Sequence, residues 1–320
     1  MADQYQRNIN YMRISITDLC NMRCLYCMPE NGIQKKPHDA LLSFEDIVSI
    51  VKASVPLGIN KLRITGGEPL VRKGIIDLIG SLSEIEGINE IAMTTNGSLL
   101  TDMAEPLKKA GLTRFNISID SLKEDRYREI TRGGELKDVL SGIEKALSLD
   151  MKPIKLNTVM IGGYNEEELE DFAQLTYDKL IDVRFIELMP VGEASQWAKS
   201  KFVSNETLKK RLGLLHPLKG IAGSPARYYQ LPGAKGKIGF INPISDHFCS
   251  ECNRIRLTSD GKLKPCLHSN TEIDLLPMLR TNPDSIAEVL AAAIEAKPER
   301  HMLNQENAIY SSRNMCQIGG

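Results

Sequence analysis

Short β-rich runs alternate with amphipathic helical runs from about Tyr11 to Gly213. This alternation is typical of a parallel sheet covered by helices. The predicted strands are Arg13–Thr17, Lys61–Thr65, Glu90–Thr95, Arg114–Ile119, Lys155–Met160 and Val183–Glu187. They give about six βα units, which are too few to close an eight-stranded barrel. We therefore predict an α/β fold built on an open, partial TIM-like barrel, with its chemistry at the carboxyl ends of the strands.

The sequence predicts the start, the apolar face and the end of one helix. Ser43 is the expected N-cap, with Asp46 three residues later, and apolar residues recur at helical spacing from Phe44 to Val55. Gly58 follows as a stop signal. The apolar stripe is expected to pack on the sheet.

The rhythm changes after Gly213 to short strands and turns. Hairpins are predicted at Arg227–Asn242 and Ile255–Pro265, and a helix at Asp284–Ala296. We predict a barrel domain at residues 1–213 and a smaller C-terminal lobe at residues 214–320. The lobe is expected to cover the open side of the barrel.

Composition narrows the class of protein. Apolar residues make up 42% and charged residues 25% of the 320 residues, as in ordinary globular proteins. A net charge of −1 gives no global field that would attract nucleic acid or an anionic membrane. Because neither a secretory signal nor a long apolar run is found, we expect a cytoplasmic protein without a membrane partner. In that reducing compartment, seven cysteines favour metal binding or catalysis over disulfides.

A C-x3-C-x2-C loop follows the first predicted strand, formed by Cys20, Cys24 and Cys27. Three thiolates hold three irons of a [4Fe-4S] cluster and leave the fourth iron open. The alternative is that the three cysteines line one helical face as small core residues. The loop, with Tyr26 before its third cysteine, resembles the signature of the radical S-adenosylmethionine (SAM) superfamily. That resemblance implies a cluster whose open iron binds SAM and yields a 5'-deoxyadenosyl radical.

Polar motifs after the next strands strengthen this resemblance. Thr65-Gly66-Gly67-Glu68-Pro69 is similar to the GGEP motif of the superfamily, in which glycine is expected to let the SAM amino group approach closely. Thr94–Gly97 follows the third strand, and Asn116–Asp120 lies on and after the fourth. All three segments fall on the expected active-site side of the barrel.

A second set of three cysteines lies in the C-terminal lobe, at Cys249, Cys252 and Cys266. On spacing alone, iron and zinc are equal alternatives, because His268 would complete a Cys3His zinc site. The segments Phe248–Leu257, Asp260–Lys262 and Cys266–Leu267 resemble the GTP 3',8-cyclase family of molybdenum-cofactor biosynthesis. The resemblance extends to the terminal Gly319-Gly320 pair and implies a second [4Fe-4S] cluster, whose open iron binds the guanine of GTP.

The resemblance also implies roles for individual residues. SAM-binding positions would be Tyr26, Gly67, Ser118 and Met189. GTP-binding positions would be Arg13, Arg63, Thr94, Lys155, Arg254, Ile255 and Arg256. Catalytic positions would be Arg254, Arg256, Gly319 and Gly320. Without the resemblance, Met189 would be interpreted as a core residue. No ligand role is given to the histidines other than His268, or to Cys316.

The implied reaction is the conversion of GTP to a 3',8-cyclised product with release of 5'-deoxyadenosine and methionine. It requires an electron donor, and the product would pass to cyclic pyranopterin monophosphate synthase. The oligomeric state stays open, with a homodimer as one alternative. Two rival functions are a peptide-modifying radical SAM maturase with an auxiliary cluster and a non-catalytic module that binds metal and nucleotide.

Overall fold

The computed structural model describes residues 1–301, 303 and 311–319. In this part of the chain, twelve strands form one sheet. In chain order the strands are β1 (Tyr11–Ser15), β2 (Lys61–Thr65), β3 (Glu90–Thr95), β4 (Arg114–Ser118), β5 (Ile154–Met160), β6 (Ile181–Glu187), β7 (His216–Pro217), β8 (Ala226–Gln230), β9 (Ile238–Ile241), β10 (Arg254–Leu257), β11 (Lys262–Lys264) and β12 (Ile273–Asp274).

The first six strands are parallel and neighbour one another in chain order, as the alternating pattern predicts. Helices pack around them. They are α1 (Phe44–Ser54), α2 (Ile75–Ser83), α3 (Leu100–Lys109), α4 (Glu124–Thr131), α5 (Leu136–Ser148), α6 (Leu169–Asp178), α7 (Ser195–Ser200) and α8 (Asn205–Leu212). In the sheet order, β12 and β7 stand at opposite edges and are not paired with each other among the described residues. The prediction of an open, partial barrel of six βα units is confirmed.

Helix α1 begins and ends where the sequence indicates. The Ser43 hydroxyl accepts a hydrogen bond from the Asp46 N–H at 3.1 Å, and the Asp46 carboxylate accepts one from the Ser43 N–H at 2.9 Å. This reciprocal pair satisfies two main-chain donors that the first turn would otherwise leave unpaired. Arg280 also forms an ion pair with Asp46 at 2.8 Å, which ties the start of α1 to the C-terminal region.

The C-terminal strands extend both edges of the barrel sheet. Both predicted hairpins are present, β8 with β9 and β10 with β11. In addition, β10 pairs in parallel with β1, and β9 pairs in parallel with β6. Eight parallel strands therefore lie side by side in the order β10-β1-β2-β3-β4-β5-β6-β9. The hairpins supply both flanks of the barrel. The division at residue 213 stays a prediction, because strands from both sides of it share one sheet.

Two further helices complete the C-terminal region, α9 (Leu276–Thr281) and α10 (Ile286–Glu295). The second of them lies within the predicted helix at Asp284–Ala296. Its buried residues join the same hydrophobic core as β1 and α1. None of the helices in the described part of the chain is both long and apolar enough to cross a lipid bilayer.

We expect Ser43→Ala to lower the free energy of unfolding by about 1 kcal/mol, because the Asp46 N–H then loses its acceptor at the start of α1. Urea denaturation followed by circular dichroism measures the change. The matched control is Ser49→Ala in the same helix, where an exposed hydroxyl donates to the Glu45 carbonyl at 2.8 Å. This control should change stability by less than about 0.5 kcal/mol. Equal losses in the two variants would contradict the capping argument.

Candidate active site

The first cysteine loop opens onto a cavity at the carboxyl ends of the barrel strands. Cys20, Cys24 and Cys27 all line this first cavity. The four positions that the family resemblance assigns to SAM also line it, and they are Tyr26, Gly67, Ser118 and Met189. Burial raises the pKa of the Cys20 thiol to about 11 and that of Cys24 well above its usual range. Replacement of the thiol protons by metal would remove this penalty.

The GGEP turn packs directly against the main chain that leads into the cysteine loop. The Gly67 N–H donates to the Thr17 carbonyl at 2.7 Å. A Cβ atom on Gly67 would lie 2.3 Å from the Leu19 carbonyl oxygen, and one on Gly66 would lie 2.5 Å from the Thr17 carbonyl oxygen. The close approach that requires glycine here is therefore between two segments of main chain. The sequence interpretation had attributed it to the SAM amino group.

Glu68 joins this turn to the end of β3. Its buried carboxyl accepts hydrogen bonds from the Leu70 N–H at 3.0 Å, the Thr95 hydroxyl at 2.7 Å and the Asn96 N–H at 2.6 Å. Burial is the largest influence on this group and raises the pKa of Glu68 to about 7. The three donors act in the opposite direction. Glu68 thereby fixes the positions of two loops that border the first cavity.

Tyr26 is held by a carboxylate on the neighbouring wall. Its hydroxyl donates to Asp120 at 2.7 Å, and Asp120 also accepts from the Val159 N–H at 2.8 Å. Burial raises the pKa of Asp120 to about 6 and that of Tyr26 well above its usual range. Asp120 therefore orients the ring of Tyr26 in the loop. The sequence interpretation included Asp120 in a motif but gave it no role of its own.

The second cysteine set opens onto a second cavity of about 180 Å³. Cys252 precedes β10 and Cys266 follows β11, so the antiparallel hairpin brings both to the same end. Cys249 lies in the short turn before Cys252. Burial raises the pKa of Cys249. Burial also opposes ionisation of Cys252, but Lys297 and Arg254 outweigh it and lower the pKa of that thiol.

Cations dominate the walls of this second cavity. Six of its lining residues carry positive charge, and they are Arg13, Arg63, Arg184, Arg254, Arg256 and Lys297. None of the described residues that line it is Asp or Glu. A positively charged cavity without carboxylates is suited to a polyanionic ligand. The sequence reasoning identified four of these six cations and missed Arg184 and Lys297, because neither lies in a recognisable motif.

Three of the arginines stand side by side on neighbouring strands. In the sheet register Arg13 on β1 is opposite both Arg256 on β10 and Arg63 on β2. Arg254 lies two residues before Arg256 and so shares its face of the strand. Burial, followed by the neighbouring arginines, lowers the pKa of Arg13 well below its usual range. For Arg256, burial is the main reason that the pKa falls to about 10.

Neutral groups hold several of these side chains without cancelling their charge. Arg63 donates to the Tyr11 hydroxyl at 2.5 Å, and Arg184 donates to the Asn116 amide oxygen at 2.7 Å. Arg254 donates to the Gly223 carbonyl. Such bonds hold the guanidinium groups in place and leave their positive charge available to a ligand, and the Arg184 Nε is buried without a partner among the described residues.

Two of the predicted GTP positions do not line the second cavity. Lys155 is not among the lining residues, and its amine is 3.4 Å from the Tyr228 hydroxyl. Burial, and then the charges of Arg184 and Arg114, lower the pKa of Lys155 to about 7. Ile255 is fully buried in the hydrophobic core, because alternation along β10 turns its side chain away from its two arginine neighbours. Any ligand contact at Ile255 therefore comes from its main chain.

The two cavities meet at one place in the barrel. Both are lined by Thr94, Asn157, Ile186 and Met189. The Thr94 hydroxyl and the Asn157 amide oxygen are buried and have no hydrogen-bond partner among the described residues. Unpaired buried polar atoms are rare and indicate a missing ligand or water. The predicted SAM position Met189 and the predicted GTP position Thr94 thus lie at a common boundary.

The C-terminal tail enters the barrel beside the arginines. The Gly319 carbonyl accepts hydrogen bonds from Arg13 at 2.9 Å and from Arg256 at 2.7 Å. Gly319 has a φ of +68°, and a Cβ atom there would lie 2.7 Å from the Thr65 methyl group. Glycine is therefore required at this position on both conformational and steric grounds. Gly320, the other predicted catalytic glycine, lies outside the described residues.

Three histidines border the second cavity together with its cysteines. The ring of His301 lies 5.0 Å from that of His268 and 5.3 Å from that of His247. The sequence analysis regarded His247 and His301 as structural or exposed, and the structure shows that both line the cavity. Among the described residues, no group of three or more His, Cys, Asp or Glu side chains is arranged to hold a single metal ion.

Comparison with known proteins identifies the family. The model described as the radical SAM superfamily matches residues 14–176, and the one described as molybdenum cofactor synthesis C matches residues 181–303. The chain is 63% identical to the GTP 3',8-cyclase of Alkaliphilus metalliredigens and 62% identical to that of Alkaliphilus oremlandii, in each case over 100% of both chains. The chain belongs to the GTP 3',8-cyclase family of radical SAM enzymes. The family resemblance predicted from the sequence is confirmed.

Solved structures agree on the architecture. The structure of Streptococcus suis SuiB bound to the precursor peptide SuiA matches with a TM-score of 0.62 at 15% identity, and the match covers 97% of this chain and 76% of that one. At this identity the match demonstrates a shared fold only. The partial barrel thus also occurs in a protein that binds a peptide, so the functional argument depends on the residues in the cavities.

The cofactors of this family, SAM and [4Fe-4S] clusters, fit the chemistry of the two cavities. Each cavity presents three cysteines, the number of ligands that leaves one iron of a cubane open. The unpaired Thr94 and Asn157 oxygens provide polar contacts at the boundary between the cavities.

We expect about eight irons per chain after anaerobic reconstitution, because each cysteine set holds a cluster of about four irons. Cys24→Ser and Cys266→Ser should each reduce the iron content to about four per chain for the same reason. Cys316→Ser, which alters a cysteine outside both sets, should leave it unchanged. Zinc in the wild-type protein together with only one iron-sulfur cluster would contradict the assignment of the second cysteine set to a [4Fe-4S] cluster. Metal analysis distinguishes the two outcomes.

Proposed function

We propose that this protein converts GTP to (8S)-3',8-cyclo-7,8-dihydroguanosine 5'-triphosphate, with release of 5'-deoxyadenosine and methionine. This reaction is the first step of molybdenum-cofactor biosynthesis. One observation carries the proposal: a cationic cavity without carboxylates opens, at Thr94 and Asn157, onto a second cavity lined by the three cysteines of the radical SAM loop. A triphosphate and a SAM-derived radical are brought together by such an arrangement.

In the first cavity, Cys20, Cys24 and Cys27 would hold one cluster. Tyr26, Gly67, Ser118 and Met189 would bind SAM beside it. When bound, these cofactors supply a 5'-deoxyadenosyl radical that removes a hydrogen atom from the ribose C3' position. The contribution of the protein is to exclude water and hold the reactants at close range. The Tyr26–Asp120 hydrogen bond and the Glu68 contacts keep the walls rigid for this purpose.

In the second cavity, Cys249, Cys252 and Cys266 would hold the other cluster, against which the guanine base binds. The residues that would bind GTP are Arg13, Arg63, Thr94, Lys155, Arg254, Ile255 and Arg256. A charge-assisted hydrogen bond contributes about 1.5 to 3 kcal/mol. Three or four such hydrogen bonds together approach the ~8 kcal/mol of binding free energy that corresponds to micromolar affinity. Thr94 would orient the ribose, since its hydroxyl lies where the two cavities meet.

Arg254, Arg256, Gly319 and Gly320 would act on the substrate during cyclisation. Arg256 and Arg13 both donate to the Gly319 carbonyl, so the tail and the arginines form one connected group. We propose that this group holds the ribose and base in the geometry in which C3' attacks C8, and that the arginines assist proton supply.

The same reaction requires partners. We propose that an external donor supplies the electron and that the product passes to cyclic pyranopterin monophosphate synthase. We also propose a cytoplasmic location and, as one option for the oligomeric state, a homodimer.

The direct test of the function is an anaerobic assay with reconstituted protein, SAM, dithionite and GTP. Chromatography with mass spectrometry should detect the cyclised triphosphate and 5'-deoxyadenosine. Formation of 5'-deoxyadenosine without any change in GTP would refute the proposed substrate.

We expect Arg256→Ala to reduce GTP conversion at least tenfold while uncoupled SAM cleavage changes less than twofold, because a lost charged contact contributes about 1.5 to 3 kcal/mol. The control is Arg227→Ala, which removes an exposed arginine that pairs with Asp246 on the surface. This control should leave both activities unchanged. Equal losses of GTP conversion and SAM cleavage in Arg256→Ala would indicate a folding defect.

We expect Gly319→Ala and deletion of residues 319–320 to leave the iron content and SAM cleavage nearly unchanged but to reduce GTP conversion severely. The added methyl group meets Thr65 and displaces the tail from the arginines. Gly233→Ala is the matched control, because Gly233 has a similar φ of +78° with open space around it. Conversion of GTP at the full rate by the truncated protein would show that the tail is dispensable.

A further inference from the structure

Lys297 is a buried cation beside the second cysteine set. It is 2% exposed, and its ammonium donates to the Pro265 carbonyl at 2.6 Å. Pro265 directly precedes Cys266 in the chain. Lys297 also lines the same cavity as Cys249, Cys252 and Cys266. Its positive charge is therefore fixed to the main chain next to a cysteine of this set.

This ammonium has no counter-charge from the protein. Among the described residues, the Pro265 carbonyl is the one acceptor of the Lys297 ammonium, and no Asp or Glu forms an ion pair with it. By contrast, the buried Lys264 is neutralised by Glu272 at 2.9 Å. A buried charge without a counter-charge is costly, and an ammonium has three donors, of which this bond uses one. The arrangement indicates that an anion belongs beside Lys297.

The position of Lys297 in the fold separates it from the arginines of the same cavity. The five arginines of the described lining lie on strands β1, β2, β6 and β10, whereas Lys297 follows α10. Its hydrogen bond attaches it to the segment between β11 and Cys266. The anion that Lys297 faces is therefore at the cysteines.

Arg7 fixes the segment that carries this lysine. Its guanidinium donates to the Cys249 carbonyl at 2.9 Å and to the carbonyls of Pro298 and Glu299, both at 2.8 Å. Asp3 holds the guanidinium in turn, through an ion pair at 2.6 Å in which both side chains are buried. One side chain from the N-terminal segment thus joins the first cysteine turn of the set to the turn after α10. The fold therefore sets the position of the ammonium relative to that turn.

We propose that Lys297 is the counter-charge of the second cluster and raises its reduction potential, and that Arg7 positions it for this role. A cubane cluster with three thiolate ligands carries net negative charge, and one electron from a reductant adds to that charge. A buried cation stabilises the reduced form more than the oxidised one, because little water screens the attraction. Net charge around a cluster is one of the influences that set its potential.

The reduction potential provides the test. It is measured by redox titration with electron paramagnetic resonance in full-length protein that carries Cys24→Ser, so that the second cluster gives the signal. We expect Lys297→Met to shift the reduction equilibrium at least tenfold towards the oxidised cluster, a fall of about 59 mV for one electron. An unchanged potential in this variant would overturn the proposal.

A matched control removes a lysine with the same kind of hydrogen bond at a remote place. Lys108→Met deletes an exposed ammonium that donates to the Leu149 carbonyl at 2.7 Å, between α3 and the end of α5. We expect this control to leave the potential unchanged. An equal fall in both variants would show that the change is unrelated to the cysteine site and would refute the role of Lys297.

Two further variants separate charge from hydrogen bonding. Lys297→Arg keeps the positive charge, whereas Lys297→Gln keeps an N–H donor without charge. We expect the arginine variant to retain the wild-type potential and the glutamine variant to show the fall. A wild-type potential in the glutamine variant would overturn the role of the charge. If Lys297→Met does not fold, this pair of variants decides the question.

The positioning role of Arg7 has its own measurement. Partners that hold metal ligands in place typically contribute about tenfold to a hundredfold to metal affinity. We therefore expect Arg7→Met to lose iron from the second site to a chelator such as EDTA about tenfold faster, with the potential of the remaining cluster shifted in the same direction as in Lys297→Met. Iron loss and potential equal to those of the parent protein would refute the positioning role.

This proposal rests on the proposed function, in which Cys249, Cys252 and Cys266 hold an iron-sulfur cluster. None of the readouts uses GTP conversion. Absence of any cluster signal in the Cys24→Ser protein would overturn the cluster assignment and this proposal with it. A signal whose potential is independent of Lys297 would refute this proposal alone.

Discussion

The parallel pairing of β10 with β1 is the contact on which the rest of the site depends. It aligns Arg256 with Arg13, which in turn is aligned with Arg63 on β2. Like charges that face each other on neighbouring strands are destabilising, and burial adds to this effect. Their alignment is explained most simply by a ligand of opposite charge. The same pairing also brings Cys252 to the cavity, because that residue lies two positions before the first residue of β10.

The aligned arginines are held in place by neutral hydrogen-bond partners. Tyr11, Asn116 and the carbonyls of Gly223 and Gly319 accept bonds from the arginines without neutralising them. A carboxylate in any of these positions would form an ion pair and compete with a triphosphate. The cavity therefore stays positively charged while neutral groups hold its arginines in place. This arrangement also explains why a protein with a net charge of −1 contains a strongly cationic site.

The C-terminal tail links the two cavities. The Gly319 carbonyl accepts from both Arg13 and Arg256, which line the second cavity, whereas Met315 lines the first. The Cys316 N–H donates to the Cys27 carbonyl at 3.5 Å. A segment of five residues thus contacts both cysteine-containing regions. The tail therefore joins the cationic cavity to the first cysteine loop.

Local patterns in the sequence determined a large part of this protein. Alternating runs predicted the six βα units, Ser43 and Asp46 predicted the start of α1, and cysteine spacing separated two three-thiol sets. These features depend on neighbours within a few residues, so short stretches of sequence encode them. Only the tertiary structure decided the addition of β9 and β10 to the barrel edges, the roles of Arg184 and Lys297 in the cavity wall, and the contact of Cys316 with Cys27. Those contacts join segments far apart in the chain. They form because pairing the strands and burying the core lowers the free energy of the whole fold, which a pattern within a few neighbouring residues does not reveal.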